Sequence, residues 1–171
     1  MKTKTEPANP PPDNPMLAAI AEEIFSMSTI AWQMRQRSRG AGRWDLSETE
    51  FLALDLLVRN GTMTVGLIQR QIGVLPAQMS RIIRSLEGNF EQPLIACSIN
   101  SEDKRKVDVA PTDAGRRAHR EFRDARLSQS IELLSHVPEG DVAEFVRIVR
   151  VMRQAMTAAP PPPDARPAAG R

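Results

Sequence analysis

The stretch from Pro76 to Gly115 constrains this chain more than any other, because it fixes in turn a helix, a hairpin and the start of a second helix. In PAQMSRIIRSLEG, Met79, Ile82, Ile83 and Leu86 recur at i, i+3, i+4 and i+7, while Gln78, Ser80, Arg81, Arg84 and Ser85 fall elsewhere on the wheel. One stripe buries, and the other face offers guanidinium groups, hydroxyls and an amide. LIACSIN, the polar turn SEDK and RKVDVAP follow as two extended runs around a charged tip, the second alternating through Val107 and Val109.

Upstream, Ser47-Glu48-Thr49-Glu50 is a capping box that opens a helix carrying Phe51, Leu54, Leu57 and Val58 and ending near Asn60-Gly61. Thr62-Met63-Thr64 suits a stub of strand, and a short helix follows from about Val65 to Gln71. Ile72-Gly73-Val74-Leu75 then turns into the Pro76 helix. Two short helices joined by a glycine-containing turn, then a basic-tipped hairpin, make a winged helix-turn-helix. In such a fold the second helix suits a major groove and the hairpin tip the neighbouring backbone or minor groove.

The flanks are helical or extended. Residues 1–13, rich in Pro, Lys and Thr, read as a disordered arm. Asn14-Pro15 starts a helix with Leu17, Ile20, Ile24, Met27, Ala31 and Met34 in register to about Gln36. Arg35, Arg37, Arg39 and Arg43 then form a basic run that fits either a solvated helix end or phosphate contact. Thr112 is placed to cap a long helix reaching about His136. Beyond Pro138-Glu139-Gly140, a last helix sets Val142, Phe145, Val149, Met152 and Met156 at alternating spacings of three and four, a coiled-coil-like seam suited to packing on another helix pair. Residues 158–171 are a Pro-rich tail without a core.

Composition bounds the function. The net charge is only +2, so a nucleic-acid signal lies in where the charges sit. Arg81, Arg84, Lys104, Arg105 and Lys106 stand against Glu102 and Asp103 on the surface in question. The single cysteine cannot form an internal disulfide, and no stretch approaches the length of a spanning apolar helix, so a soluble protein of the cytoplasm without membrane contact is expected. No phosphate loop, nucleophile constellation or paired carboxylates point to an enzyme. No cofactor is expected, and His119 and His136 stand too far apart for a local metal pair.

The wing, Asp103-Lys104-Arg105-Lys106-Val107-Asp108-Val109-Ala110-Pro111-Thr112-Asp113-Ala114-Gly115, resembles that of the MarR family of bacterial transcription regulators, with its Asp-x-Arg and its Thr-x-x-Gly helix start. The resemblance runs from about Leu46 to Gly115. It implies a homodimer whose first and last helices interlock, a pseudo-palindromic operator in double-stranded DNA, and repression often relieved by a small-molecule effector or thiol oxidation. Arg105 would enter the minor groove with Asp103 as its positioning partner and Lys104 beside it, and Gln78, Ser80, Arg81 and Arg84 would face the major groove. The chain departs from the family at Leu75, where a Ser or Thr cap is usual, and over Gly88 to Cys97, which is longer and lacks an arginine. It departs again at Pro111, where a hydrophobic residue is common.

The expected fold is mainly α with a small β-hairpin wing: a winged helix-turn-helix lobe over 46–111 and a helical dimerisation lobe from 14–45 and 112–157. Some residues keep two readings. Cys97 is a redox switch or a small hydrophobe on a buried face shared with Ile95 and Ile99. Trp32, Met34 and Trp44 are core packing or, as in relatives, the wall of a ligand pocket. The function is a dimeric repressor released by a signal, or else a winged helix that binds protein or shapes DNA without an effector.

Overall fold

Four of the described helices begin where a side chain satisfies N–H groups that a first turn leaves open. The structure, a computed structural model, describes residues 14–37 and 44–158; the arm at 1–13, the tail from 159 onward, Arg39, Arg43 and the side chain of Arg35 lie outside the described residues. Helix α1 (Pro15–Arg37) starts with Asn14 Oδ1 accepting from the N–H of Met16 at 3.0 Å and of Leu17 at 3.4 Å. At α2 (Glu48–Asn60) the capping box forms in full. Glu50 N–H donates to Ser47 Oγ at 3.3 Å, and Ser47 N–H donates to Glu50 Oε2 at 2.7 Å. Ser47→Ala is therefore expected to cost about 1 kcal/mol and to lower the thermal midpoint by roughly 2–4 °C. A melting curve unchanged by the substitution would show the cap to be idle.

A two-residue strand, β1 (Met63–Thr64), leads into α3 (Val65–Ile72), where Thr64 Oγ1 accepts from Leu67 N–H at 3.3 Å. Gly73 closes α3 in the left-handed region at φ 69°, which suits a residue without Cβ. Helix α4 (Pro76–Gly88) follows after three residues, then the hairpin of β2 (Ile95–Ile99) and β3 (Val107–Pro111). The sheet is antiparallel in the order β1-β3-β2, with Met63 and Cys97 both opposite Val109.

The core sits where these elements meet. Leu54 and Leu57 of α2, Ile68 of α3, Met79 and Leu86 of α4, and Leu94, Ile95 and Val109 of the hairpin are fully buried. Each contributes about 1.5–3 kcal/mol on burial, so the lobe stands on apolar packing rather than on surface charge.

Helix α5 (Asp113–Leu134) opens with Thr112 Oγ1 accepting from Gly115 N–H at 3.0 Å and donating to Pro93 O at 2.7 Å. The described chain divides into two compact units after His119. The first turns of α5 belong to the winged unit, with Ala114, Gly115, Ala118 and His119 buried. The second unit holds the rest of α5 and α6 (Glu139–Ala158). No residue of α6 is buried, and Val142, Phe145, Val149 and Met152 stand 40–44% exposed, with Val146, Ile148 and Val151 open beside them. Among the described residues no helix is long and apolar enough to cross a membrane.

The sequence pattern misjudges one face. Ile95 is buried, but Ile99, four residues along the same side of β2, is 67% exposed, and Val107 opposite it is also exposed. The hairpin outruns the core, so alternation continues where nothing remains to pack on.

Candidate nucleic-acid interface

Helix α4 is fastened on one side and open on the other. Met79, Ile82 and Leu86 are buried and Ile83 is half-buried, while Gln78, Ser80, Arg81 and Arg84 are exposed. At its start Leu75 provides no side-chain cap, and Pro76 at the first position removes one donor that would otherwise need a partner. The polar face is internally ordered. Ser80 Oγ donates to Pro76 O at 3.1 Å, and Arg84 Nε donates to Ser80 O at 3.2 Å, which lays the Arg84 stem back along the helix.

The hairpin is tied to α4 at its root. Leu94 N–H donates to Leu86 O at 2.8 Å, and Leu94 O accepts from Thr112 N–H at 3.1 Å. At the tip, Lys104 and Arg105 are exposed, and among the described residues no carboxylate pairs with Arg81, Lys104 or Arg105. Asp103 does not pair with the Arg105 guanidinium. Its Oδ1 accepts from the Arg105 backbone N–H at 3.1 Å, and its Oδ2 meets Lys106 Nζ at 3.2 Å. These two contacts, the backbone one foremost, hold the Asp103 carboxyl below the usual carboxylate range. Asp103 thus shapes the backbone that carries Arg105, and the guanidinium stays available.

Cys97 is half-buried, not sealed in a core, and lines a shallow groove of about 730 Å³ with Arg84, Glu87, Pro93, Ile95 and Thr112. Burial, then a hydrogen bond to Glu87, push its thiol up to about 11. At neutral pH the reactive thiolate is then scarce. Alkylation by iodoacetamide at pH 7.5 should run roughly two orders of magnitude slower than for an unhindered cysteine and accelerate until the pH nears that value. A fast reaction at pH 7.5 would contradict the environment seen here.

Trp32 and Met34 are 54% and 61% exposed on α1, and Trp44 stacks in tilted fashion on Phe90, ring centres 6.2 Å apart. Phe90 belongs to the unusually long segment after α4, so that segment has a packing partner that sequence reasoning did not supply. Sequence reasoning also left His119 without a partner. It is buried, lies flat on Phe51 at 5.2 Å, and donates from Nε2 to Asp55 Oδ1 at 2.8 Å, while its buried Nδ1 has no partner. Asp55 also holds Arg59 at 2.9 Å. Asp55 lies at i+4 to Phe51 and i−4 to Arg59 on α2, which was the available signal. Among the described residues no group of three His, Cys, Asp or Glu could hold a metal ion.

The model of the MarR family matches residues 46–107. No curated protein is similar enough in sequence to match the chain. Among solved structures, a MarR family protein from Bacillus stearothermophilus is 20% identical, with a TM-score of 0.68 over 84% of this chain and 98% of that one. Streptococcus pneumoniae FabT, solved in complex with DNA, is 18% identical, with a TM-score of 0.65 over 82% of this chain and 97% of its own. Bordetella bronchiseptica BpsR, whose DNA binding is regulated by 6-hydroxynicotinic acid, is 20% identical, with a TM-score of 0.57 over 78% of this chain and 98% of its own. MarR-family proteins are DNA-binding regulators rather than enzymes. Residues 46–107 therefore match the MarR-family model, in a chain that shares the winged-helix fold of these solved structures.

Proposed function

We propose that this chain is a sequence-specific transcription regulator of the cytoplasm that acts as a homodimer on a pseudo-palindromic duplex site, repressing until a signal releases it. The observation that carries the reading is a helix anchored by Met79, Ile82 and Leu86 whose outward face is Gln78, Ser80, Arg81 and Arg84, next in sequence to a wing whose Arg105 is exposed and free of carboxylates among the described residues. Arginine reads guanine edges in a major groove and suits a narrow, electronegative minor groove. The DNA complex of FabT, a protein of the same fold, supports the reading of this chain as a DNA-binding protein.

Residues 46–111 bind DNA in this reading, and 14–45 with 112–157 dimerise. The open apolar faces support the division. Alone, the chain exposes Leu17, Ile20, Ile24 and Met27 on α1 and the α6 row from Val142 to Met152, more apolar surface than a monomer in water keeps. A second copy covers such faces in a symmetric dimer, with half-sites roughly 34 Å apart. The regulation of BpsR, a protein of this fold, by 6-hydroxynicotinic acid supports a small-molecule effector, and Trp32, Met34 and Trp44 are the residues proposed to receive it.

One experiment tests the whole reading. Sedimentation should give twice the chain mass of 19.0 kDa. Duplexes enriched by the protein from a random pool should then bind with a steep salt dependence and a wide margin over unrelated DNA. Equal binding to both would leave an architectural protein, and no binding at low salt would leave a protein-interaction module.

A further inference from the structure

Asn100, the first residue after β2, carries four side-chain hydrogen bonds. Its Oδ1 accepts from the backbone N–H of Glu102 at 3.0 Å and of Asp103 at 2.8 Å. Its Nδ2 donates to both carboxylate oxygens of Asp108, each at 2.9 Å. A backbone N–H only donates and an ionised carboxylate only accepts, so the amide has one workable orientation. Asp103 carries the order onward, through Arg105 N–H on Oδ1 at 3.1 Å and Lys106 N–H on its backbone oxygen at 2.9 Å.

Asp108 lies on β3, the central strand, opposite Ser98 of β2 and Thr64 of β1. A continuous set of hydrogen bonds thus runs from the middle of the sheet through Asn100 and Asp103 to the backbone of Arg105. It adds nothing to the apolar core. A carboxylate in a hairpin that meets phosphates opposes binding, and here both its oxygens are occupied by one amide. Ordering the tip in the free protein removes that entropy loss from the binding step.

We propose that Asn100, clamped by Asp108, is the positioning residue of the wing and sets where Arg105 enters the DNA without touching DNA itself. This rests on the reading of Arg105 as a DNA contact, and the test separates the two. The probe is the duplex that the wild-type protein enriches from a random pool, with affinity read by fluorescence anisotropy. Arg105→Ala and Asn100→Ala should each weaken binding about tenfold, and the double variant should bind no worse than about the weaker single, because the second change removes a contact already misplaced.

Asn100→Asp sets two carboxylates against each other and should weaken binding at least as much. Adding Asp108→Asn restores the wild-type net charge. The new carboxylate at 100 still accepts from Glu102 and Asp103, and the new amide at 108 donates back to it, so affinity should return to within about threefold of wild type. If Arg105→Ala weakens binding and Asn100→Ala does not, the positioning role falls and the DNA reading stands. Additive losses in the double variant, or no recovery in the exchanged pair, overturn it equally. Unchanged affinity in Arg105→Ala overturns both.

Discussion

Gly115→Ala is expected to unfold the winged lobe well below the melting temperature of the wild type. A Cβ at this position would collide with the Leu94 carbonyl oxygen, with the carbonyl carbon at 3.0 Å and Leu54 Cδ1 at 3.3 Å. The obstacle is backbone, and it is held from both sides: Leu94 N–H donates to Leu86 O and Leu94 O accepts from Thr112 N–H. Relief would need α5 to back away from the root of the hairpin, undoing the burial of Ala114 and Ala118 as well. Overpacking usually costs about 1–3 kcal/mol, and a rigid partner puts this case above that range, at about 4 kcal/mol. Against a total stability on the order of 5–15 kcal/mol that is a large fraction. Thermal melting followed by circular dichroism reads it directly. Gly140→Ala is the control, since nothing lies within 4 Å of a Cβ there, and its midpoint should stay within a few degrees. A Gly115→Ala protein that melts like the wild type would mean that α5 and Leu94 are not in the contact described.

Arg105→Ala should cost about tenfold or more in affinity for the enriched duplex, without changing the sedimenting mass. The proposed dimer would present two such arginines, so the slope of log affinity against log salt should also fall by about two. Arg84→Ala should behave differently. Its side chain stems from the outward face of α4, where a bidentate contact to a base discriminates by about 1–3 kcal/mol, so its loss should flatten sequence preference more than it lowers affinity for unrelated DNA. If Arg105→Ala and Arg84→Ala both bind as wild type does, neither helix nor wing faces the groove assigned to it.

What was legible in the sequence was local. Ser47 and Glu50 declare a capping box within four residues, Asn14 and Thr112 declare starts, and Met79, Ile82 and Leu86 declare a buried stripe, because each acts through partners a turn or less away. The Asp-x-Arg wing with Thr-x-x-Gly marked the fold that the structural neighbours share. What was not legible depends on residues distant in sequence that meet only after folding. Gly115 carries no sign that Leu94 lies against it, and His119 none that Asp55, sixty-four residues earlier, accepts a hydrogen bond from its Nε2. The buried face expected for Ile95, Cys97 and Ile99 extends only to the edge of the core, since alternation reports a strand's pleat and not the reach of what it packs on. The open face of α6 was legible as apolar spacing.

Among the described residues the strand order β1-β3-β2 leaves β2 with one side unpaired. Its sequence, IACSI, carries no charge and no proline, so a row of backbone donors and acceptors faces outward with the exposed Ile99 at its end. Natural sheets guard such borders with lysines, prolines or brevity, and here brevity and the charges of Glu102, Lys104, Arg105 and Lys106 just beyond the strand do that work. Like charge keeps two wings apart at low ionic strength. Screening weakens that repulsion as salt rises, so concentrated protein stored without DNA is expected to begin clumping strand to strand at β2.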